Sequence, residues 1–428
     1  MVAYPPPQSA LDFAAAIAPD SPDPAVKISI LVGDLSGGIT VRAYLLAESL
    51  QKLGYRVEVI GFLFGKELYA QPPQSIAVTV IPATPYPGFL RCTRQLLKQI
   101  QGDILYALKP KPTSFGIALL KKGLSPRKVR SLVLDFDDWE MSWHGGDDWH
   151  YPVSLKKLYR DLFKPQGELR NPDHPLYLKW LERWIPKADA ITIDTQFLRD
   201  RYGGSYVANG KDTELFNPDR YDADASRAKY GLSDYRVLMF PGAPRPHKGL
   251  ETVLQALEQL NQPDLRLVIV GGSPYDNYDD VLMQQWGRWI VKLPRSPVEQ
   301  MPEILMAAHG VVVTQRDTWT AQAQFPLKLS DGMAMGKPVL ATRVGDIPEI
   351  LGGTGYLVDP DSVDQTAAAI ARIFANWEEA VIKGQQARQR CQTYYSLEAM
   401  AAQLQPVFAP LIPNPATHAR DLIPPSPP

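Results

Sequence analysis

Cysteine is nearly absent: Cys92 and Cys391 are the only two in 428 residues, and they lie far apart in the chain. That excludes a disulfide framework and fits a reducing compartment. Net charge is equally scant, with 45 Lys and Arg against 46 Asp and Glu. No global field draws in nucleic acid, and no acidic tail is present. No Lys or Arg precedes Lys27, so the charged opening of a secretory leader is missing. No apolar run approaches the ~18 residues of a membrane span. A cytoplasmic protein with no nucleic-acid partner is the expectation.

Proline, by contrast, is abundant at 40 residues, roughly twice the average share of ~5%. Part of it lies at the ends, in 1–26 and 413–428, which read as flexible tails without chemistry. Apolar residues make up 45% of the chain. At ~100–200 residues per domain, two or three domains are expected, with a core large enough to need no staples.

From Lys27 the pattern is regular. Ile28 to Val32 reads as a strand, Asp34 to Gly38 as a glycine loop, and Ile39, Ala43, Leu46, Leu50 and Leu53 as one face of a helix. Val57 to Gly61 is the next strand, and Ile104–Ala107, Ser131–Leu134 and Ala190–Ile193 follow. The pattern restarts at Arg236–Phe240, with a helix through Leu250, Val253, Leu254, Leu257 and Leu260. Further strands follow at Leu265–Val270, Gly310–Thr314 and Pro338–Thr342. The α/β reading is two Rossmann-like doubly wound domains facing across a cleft, 27–207 and 208–394, with ligands beyond the carboxyl ends of the strands. A last helix starts near Ser396, where Leu397, Met400, Ala401, Leu404 and Val407 recur at helical spacing.

Two segments of the second half carry chemistry. Phe240 to Gly249 follows a strand and opens a helix, placing Arg245 and Lys248 near free N–H groups. That suits a diphosphate; the alternative is a solvated basic turn. Phe325 to Thr342 reads as a helix ending at Gly336 and feeding a buried strand. Asp331 in it could accept both hydroxyls of a ribose, or be an ordinary surface carboxylate.

These motifs resemble the GT-B-fold, retaining glycosyltransferases of the family 4 type. Asp34 to Gly38 resembles the family's glycine loop, and Val207 to Asp212 with Phe216-Asn217-Pro218 its interdomain signature. Gly242 to Gly249 resembles its "G-x-P-R-x-H-K-G" form, Phe325 to Thr342 its "PLKL-E-MA-GKPV-AT" block, Val344 to Glu349 its "VGGIPE" continuation, and Gly355 to Val358 the last strand. The resemblance implies a nucleotide-diphosphate sugar as donor and no separate cofactor. Arg245 and Lys248 would hold the diphosphate, Lys328 would lie on its phosphate side, and Asp331 would hold the ribose. Gly37 and Gly38 would face phosphate or sugar, and Gly271 joins the donor-binding set. The acceptor would be a carbohydrate or lipid-linked glycan. The resemblance also implies that 395–412 returns to the first domain. One position departs from the family pattern: its first paired glutamate is Ala323 here, flanked by Gln322 and Gln324.

In the first half, Leu134 to Glu140 contains Asp135-Phe136-Asp137, the D-x-D form of a divalent-metal site. The resemblance argues for metal independence, and Asp137 and His144 are better read as facing the acceptor or transferred sugar, a hydrogen-bonded surface His being the plainer alternative for His144. Residues 121–130 are locally basic, and 155–164 is amphipathic and basic. Peripheral contact with an anionic membrane is one reading of that stretch. A surface helix packing its apolar side on the core is the simpler one. Beside glycosyl transfer stand two alternatives: an epimerase or phosphorylase of the same fold, and a donor-binding protein without turnover.

Overall fold

The computed structural model describes residues 26–273 and 276–412. The proline-rich stretches at both ends lie almost wholly outside these. Backbone contacts divide the chain into two units. One comprises the described residues up to Asp194, then Leu198–Ala208 and residues 400–412. The other comprises Thr195–Phe197 and Asn209–Ala399.

The first unit holds seven parallel strands: β1 (Lys27–Val32), β2 (Arg56–Leu63), β3 (Ala77–Pro82), β4 (Ile104–Leu108), β5 (Ser131–Phe136), β6 (Ala190–Ile193) and β7 (Ser205–Tyr206). Their order is β3-β2-β1-β4-β5-β6-β7. Leu31 of β1 sits opposite Ile60 on one side and Ala107 on the other. Parallel pairing demands crossovers, and the helices supplying them cover both faces, which is why the central strands read as unbroken apolar runs. Ile28, Ile30 and Val32 pack with Ala43, Leu46 and Leu50 of the Ile39–Lys52 helix. Met400, Leu404, Val407 and Phe408 of the Leu397–Phe408 helix complete that core. The Phe408 ring lies 5.3 Å from Tyr106 and 6.0 Å from Tyr55.

An ionic group is sealed inside this unit. Arg42 grips Asp135 with two bonds of 2.6 and 2.8 Å, lies 3.7 Å from Asp194, and donates to the Val207 carbonyl at 3.1 Å. Thr192 Oγ1 and Tyr106 OH also meet Asp135, at 2.6 and 3.3 Å.

The second unit holds six parallel strands: β8 (Arg236–Pro241), β9 (Leu265–Val270), β10 (Ile290–Leu293), β11 (Gly310–Val313), β12 (Val339–Thr342) and β13 (Tyr356–Val358). Their order is β10-β9-β8-β11-β12-β13. Val253, Leu254 and Leu257 of the Leu250–Leu260 helix close one face over Leu238, Phe240, Leu267 and Ile269.

The Leu155–Phe163 helix corrects an expectation: its apolar side does not face the core. Leu155 is 88% exposed and Phe163 69%, while Asp161 is buried. Tyr151, the partly buried Lys157 and the exposed Arg160 hold the Asp161 carboxylate, so that Lys157 and Asp161 are the polar residues turned inward.

Candidate functional site

In the second unit the chain leaves β8 and makes a tight basic loop before the Leu250–Leu260 helix. Two glycines are required there by geometry. Gly249 has φ +64°, and a Cβ on it would lie 2.1 Å from the Thr314 carbonyl oxygen. Gly242 has φ +140°, and a Cβ would meet Lys328 Cε at 2.7 Å. Both conformations are costly for a residue with a side chain. The loop therefore brings Lys328 directly against its start, with Lys328 Nζ 5.0 Å from the Phe240 ring centroid.

Lys248 Nζ donates to Gln315 Oε1 at 2.9 Å and to Gln324 Oε1 at 3.3 Å. These acceptors are neutral, so they orient the ammonium without cancelling its charge. Burial lowers the Lys328 pKa; Asp331 opposes this and Arg245 adds to it. The His247 imidazole is pushed down to about 3, first by burial and then by Lys248, Arg245 and Lys328. Arg245, His247, Lys248 and Lys328 thus crowd one another electrostatically, an arrangement that an anion relieves. Glu251, in the first turn of the following helix, lies 3.5 Å from Arg316. Gly271, with φ +100°, ends β9 close to Arg295.

Asp331 forms an ion pair with Lys211, whose Nζ lies 3.6 Å from the Phe216 ring centroid. The Leu327–Ala334 helix carries Lys328 and Asp331 one turn apart.

In the first unit, polar groups gather beyond the carboxyl ends of β4 and β5. Lys109 takes the left-handed conformation, φ +68°, unusual for a residue with a side chain. Its Nζ meets Glu140 at 2.6 Å, Asp137 at 3.4 Å and Asp138 at 3.6 Å. Lys111 holds the other Glu140 oxygen at 2.8 Å. Burial opposes ionisation of Glu140, yet Lys109 and Lys111 together pull it down to about 2. Asp137 goes the other way: burial raises it to about 6, Lys109 only partly offsets this, and Asp138 adds to it. His144 ends the Glu140–His144 turn at the surface, and partial burial lowers its pKa. Asp135 and Asp137 do not converge on one cation as a D-x-D site would require. Asp135 is bound to Arg42 in the core and Asp137 pairs with Lys109.

Gly37 and Gly38 precede the Ile39–Lys52 helix. A Cβ at either would find its nearest heavy atoms at 3.4 and 3.9 Å, so packing within the loop does not demand their bareness.

Comparison with known proteins meets this geometry at the same segments. The family described as "Glycosyltransferase Family 4" matches residues 36–215, and "Glycosyl transferases group 1" matches residues 235–376. The chain belongs to the group 1 glycosyltransferases. A GDP-mannose-dependent alpha-(1-6)-phosphatidylinositol monomannoside mannosyltransferase of Mycolicibacterium smegmatis is 27% identical over 213 residues, 46% of this chain and 56% of the relative. The chain thus spans little more than half of that protein. A D-inositol 3-phosphate glycosyltransferase of Corynebacterium glutamicum is 28% identical over 64% of this chain and 70% of its own. Among solved structures, sucrose-phosphate synthase from Thermosynechococcus elongatus superposes with a TM-score of 0.68 at 18% identity, covering 90% of this chain and 99% of that one. Anabaena HepE with UDP and glucose gives 0.67 at 17% identity, with the same coverage. These structures establish the GT-B fold expected from the sequence.

Within this glycosyltransferase the structure brings Arg245, Lys248 and Lys328 into one electrostatic cluster, with Asp331 one turn from Lys328. It places Asp137 and His144 in the separate first-unit group around Glu140. Lys211 and Gln315, to which the sequence gives no role, enter the site. So does Gln324, one of the two amides flanking Ala323 that could stand in for the family glutamate. Ala323 is fully buried, and the amide beside it, not a carboxylate, supports Lys248. Gln322 instead donates to Asp317 at 2.6 Å. Lys109 and Lys111 were also missed; an excess of acids in Leu134 to Glu140 was the available signal for nearby cations.

Proposed function

We propose that this glycosyltransferase moves a sugar from a nucleotide-diphosphate donor to an acceptor hydroxyl, with retention at the anomeric carbon and without a metal ion. One observation carries the reading: Lys248, oriented by two neutral amide oxygens, sits with Arg245 and Lys328 around a loop that needs glycine at both ends. As the sugar–phosphate bond loosens, charge builds on the leaving diphosphate. Arg245 and Lys248 stabilise that charge more in the transition state than in the ground state. Lys328 and Gly271 contribute to donor phosphate binding. Asp331, positioned by Lys211, accepts from the ribose. Gly37 and Gly38 are kept bare for a ligand. On the acceptor side, Asp137 and His144 approach the incoming hydroxyl or the transferred sugar.

The phosphatidylinositol-linked acceptor in the name of one relative, and the inositol phosphate of another, favour a polyol or lipid-linked acceptor here. Peripheral contact with a membrane belongs to the same reading. Among the described residues no helix is long and apolar enough to cross one. Incubation with a panel of nucleotide sugars and acceptors, followed by NMR of the product's anomeric centre, tests the proposal. An inverted product overturns retention, and donor turnover without an acceptor points to epimerase chemistry. Ala323 supports a second reading, donor binding without turnover. Calorimetric donor binding with no transfer across the acceptor panel would establish it.

A further inference from the structure

The Leu155–Phe163 helix is packed inside out. Ser154 caps it, accepting from Lys157 N at 3.1 Å, and Lys157 and Asp161 face the protein. Asp161 accepts there from Tyr151 OH at 2.6 Å and Arg160 Nε at 2.8 Å, and pairs with Lys157 at 2.9 Å. Leu155, Tyr159, Leu162 and Phe163, spaced i, i+4, i+7 and i+8, form a stripe at the surface, and Val153 extends it. Lys156, Arg160 and Lys164 recur every four residues beside the stripe.

The patch continues onto a second helix. Arg170 donates to the Tyr86 carbonyl at 2.7 Å and to the Lys164 carbonyl at 3.3 Å, joining the end of the first helix to the turn before Phe89–Gln99. That helix presents Leu90, Arg91, Arg94 and Lys98 to solvent. Among the described residues Arg91, Arg94, Lys98, Lys156 and Lys164 make no ion pair, whereas Glu168, the exposed carboxylate nearby, is taken up by Lys157 at 3.0 Å.

We propose that this face docks on an anionic phospholipid surface. Leu155, Tyr159, Leu162 and Phe163 enter the boundary between headgroups and acyl chains, and the flanking cations meet lipid phosphates. An apolar stripe rimmed by cations lacking counter-charge is satisfied on both counts by such a surface. A second copy of the chain meeting this face symmetrically would oppose cation to cation. The proposal deepens the membrane contact of the functional reading. Its test uses neither donor nor acceptor, so its failure leaves sugar transfer standing.

The full chain is co-sedimented with phosphatidylcholine vesicles, with and without phosphatidylglycerol. Binding is expected only to the phosphatidylglycerol vesicles and should weaken as salt rises. Phe163→Glu and the double change Lys156→Glu with Lys164→Glu should each lower it by about tenfold or more. Thermal melts should be unchanged because these side chains are exposed. Ile382→Glu, an exposed apolar control in the other unit, should bind normally. No binding to phosphatidylglycerol vesicles, equal binding to both kinds, or full binding by Phe163→Glu overturns the proposal. So does a Phe163→Glu change that breaks a dimer while vesicles remain unbound.

Discussion

Charge placement decides the chemistry at the scale of single residues. Lys248→Ala should lower kcat/KM by about 10²–10³ with little change in melting temperature, since losing one contact to developing charge costs that much; near wild-type transfer would remove the diphosphate assignment. His247 offers a readout independent of turnover. Its pKa lies near 3 in the fold against an ordinary 6.5, so the fold favours the neutral ring. The stability this represents is present above about 6.5 and is lost as pH falls toward 3. A bound nucleoside diphosphate offsets Lys248, Arg245 and Lys328, so the His247 pKa should rise on adding UDP or GDP, as followed by NMR of the imidazole resonances. No movement with either would place the phosphates elsewhere. Asp331→Asn should weaken donor affinity, because an amide retains one acceptor oxygen where the carboxylate has two; unchanged affinity by calorimetry would take Asp331 away from the ribose. The cations and Asp331 were legible because local sequence places them on one loop and one helix. Gln315, Gln324 and Lys211 were not, because their partners lie 67, 76 and 120 residues away along the chain.

Among the elements, what reads clearly in the sequence is what is buried on both faces. β1, β4, β5, β9 and β12 are nearly continuous apolar runs and were recognised as strands. β10 is a four-residue edge strand interrupted by Lys292 and β7 has two residues, so neither gives an apolar run to read; β3 does carry one, Ala77 to Pro82, but lies half-exposed at the sheet edge. The Leu155–Phe163 helix shows the converse: its amphipathic spacing was plain, but which side faces inward depends on how Tyr151 and Asp161 pair. Gly249→Ala tests the loop as an element. With φ +64° and a carbonyl oxygen at 2.1 Å from the new methyl, it should cost on the order of 1–3 kcal/mol and lower the melting temperature by several degrees. An unchanged melting curve would mean the loop can relax. Leu404→Ala, in the helix that closes the first unit's core, should cost about 2–5 kcal/mol; hydrogen exchange should show the loss centred on β1, β2 and β4. Loss confined to the second unit would refute that packing.

Across the whole molecule, two parallel sheets with helices on both faces follow from repeated strand–loop–helix patterns, and the family relationship agrees. Lys109 and Lys111 pair with Glu140 in the first unit, and Arg245, Lys248 and Lys328 gather in the second. On the proposed reading, Arg245, Lys248 and Lys328 of the second unit meet the diphosphate charge that a divalent ion would otherwise meet. Transfer should therefore persist after dialysis against EDTA, measured by product formation against an untreated control. Activity lost to the chelator and restored by magnesium or manganese would overturn metal independence.

The Arg42–Asp135 pair also bears on how this sequence can drift over time. Removing one partner strands the other's charge in the core, at roughly 3–5 kcal/mol, more than most mutational steps survive. Replacing both with apolar residues of matching volume can be nearly neutral only if the buried Asp194 carboxylate, which also faces Arg42, is lost with them. The two positions, 93 residues apart, should therefore covary: descendants of an ancestral chain keep the pair intact or lose it whole. Chains carrying only one of the two charges should be rare, and should show a compensating change at Asp194, Thr192 or Tyr106.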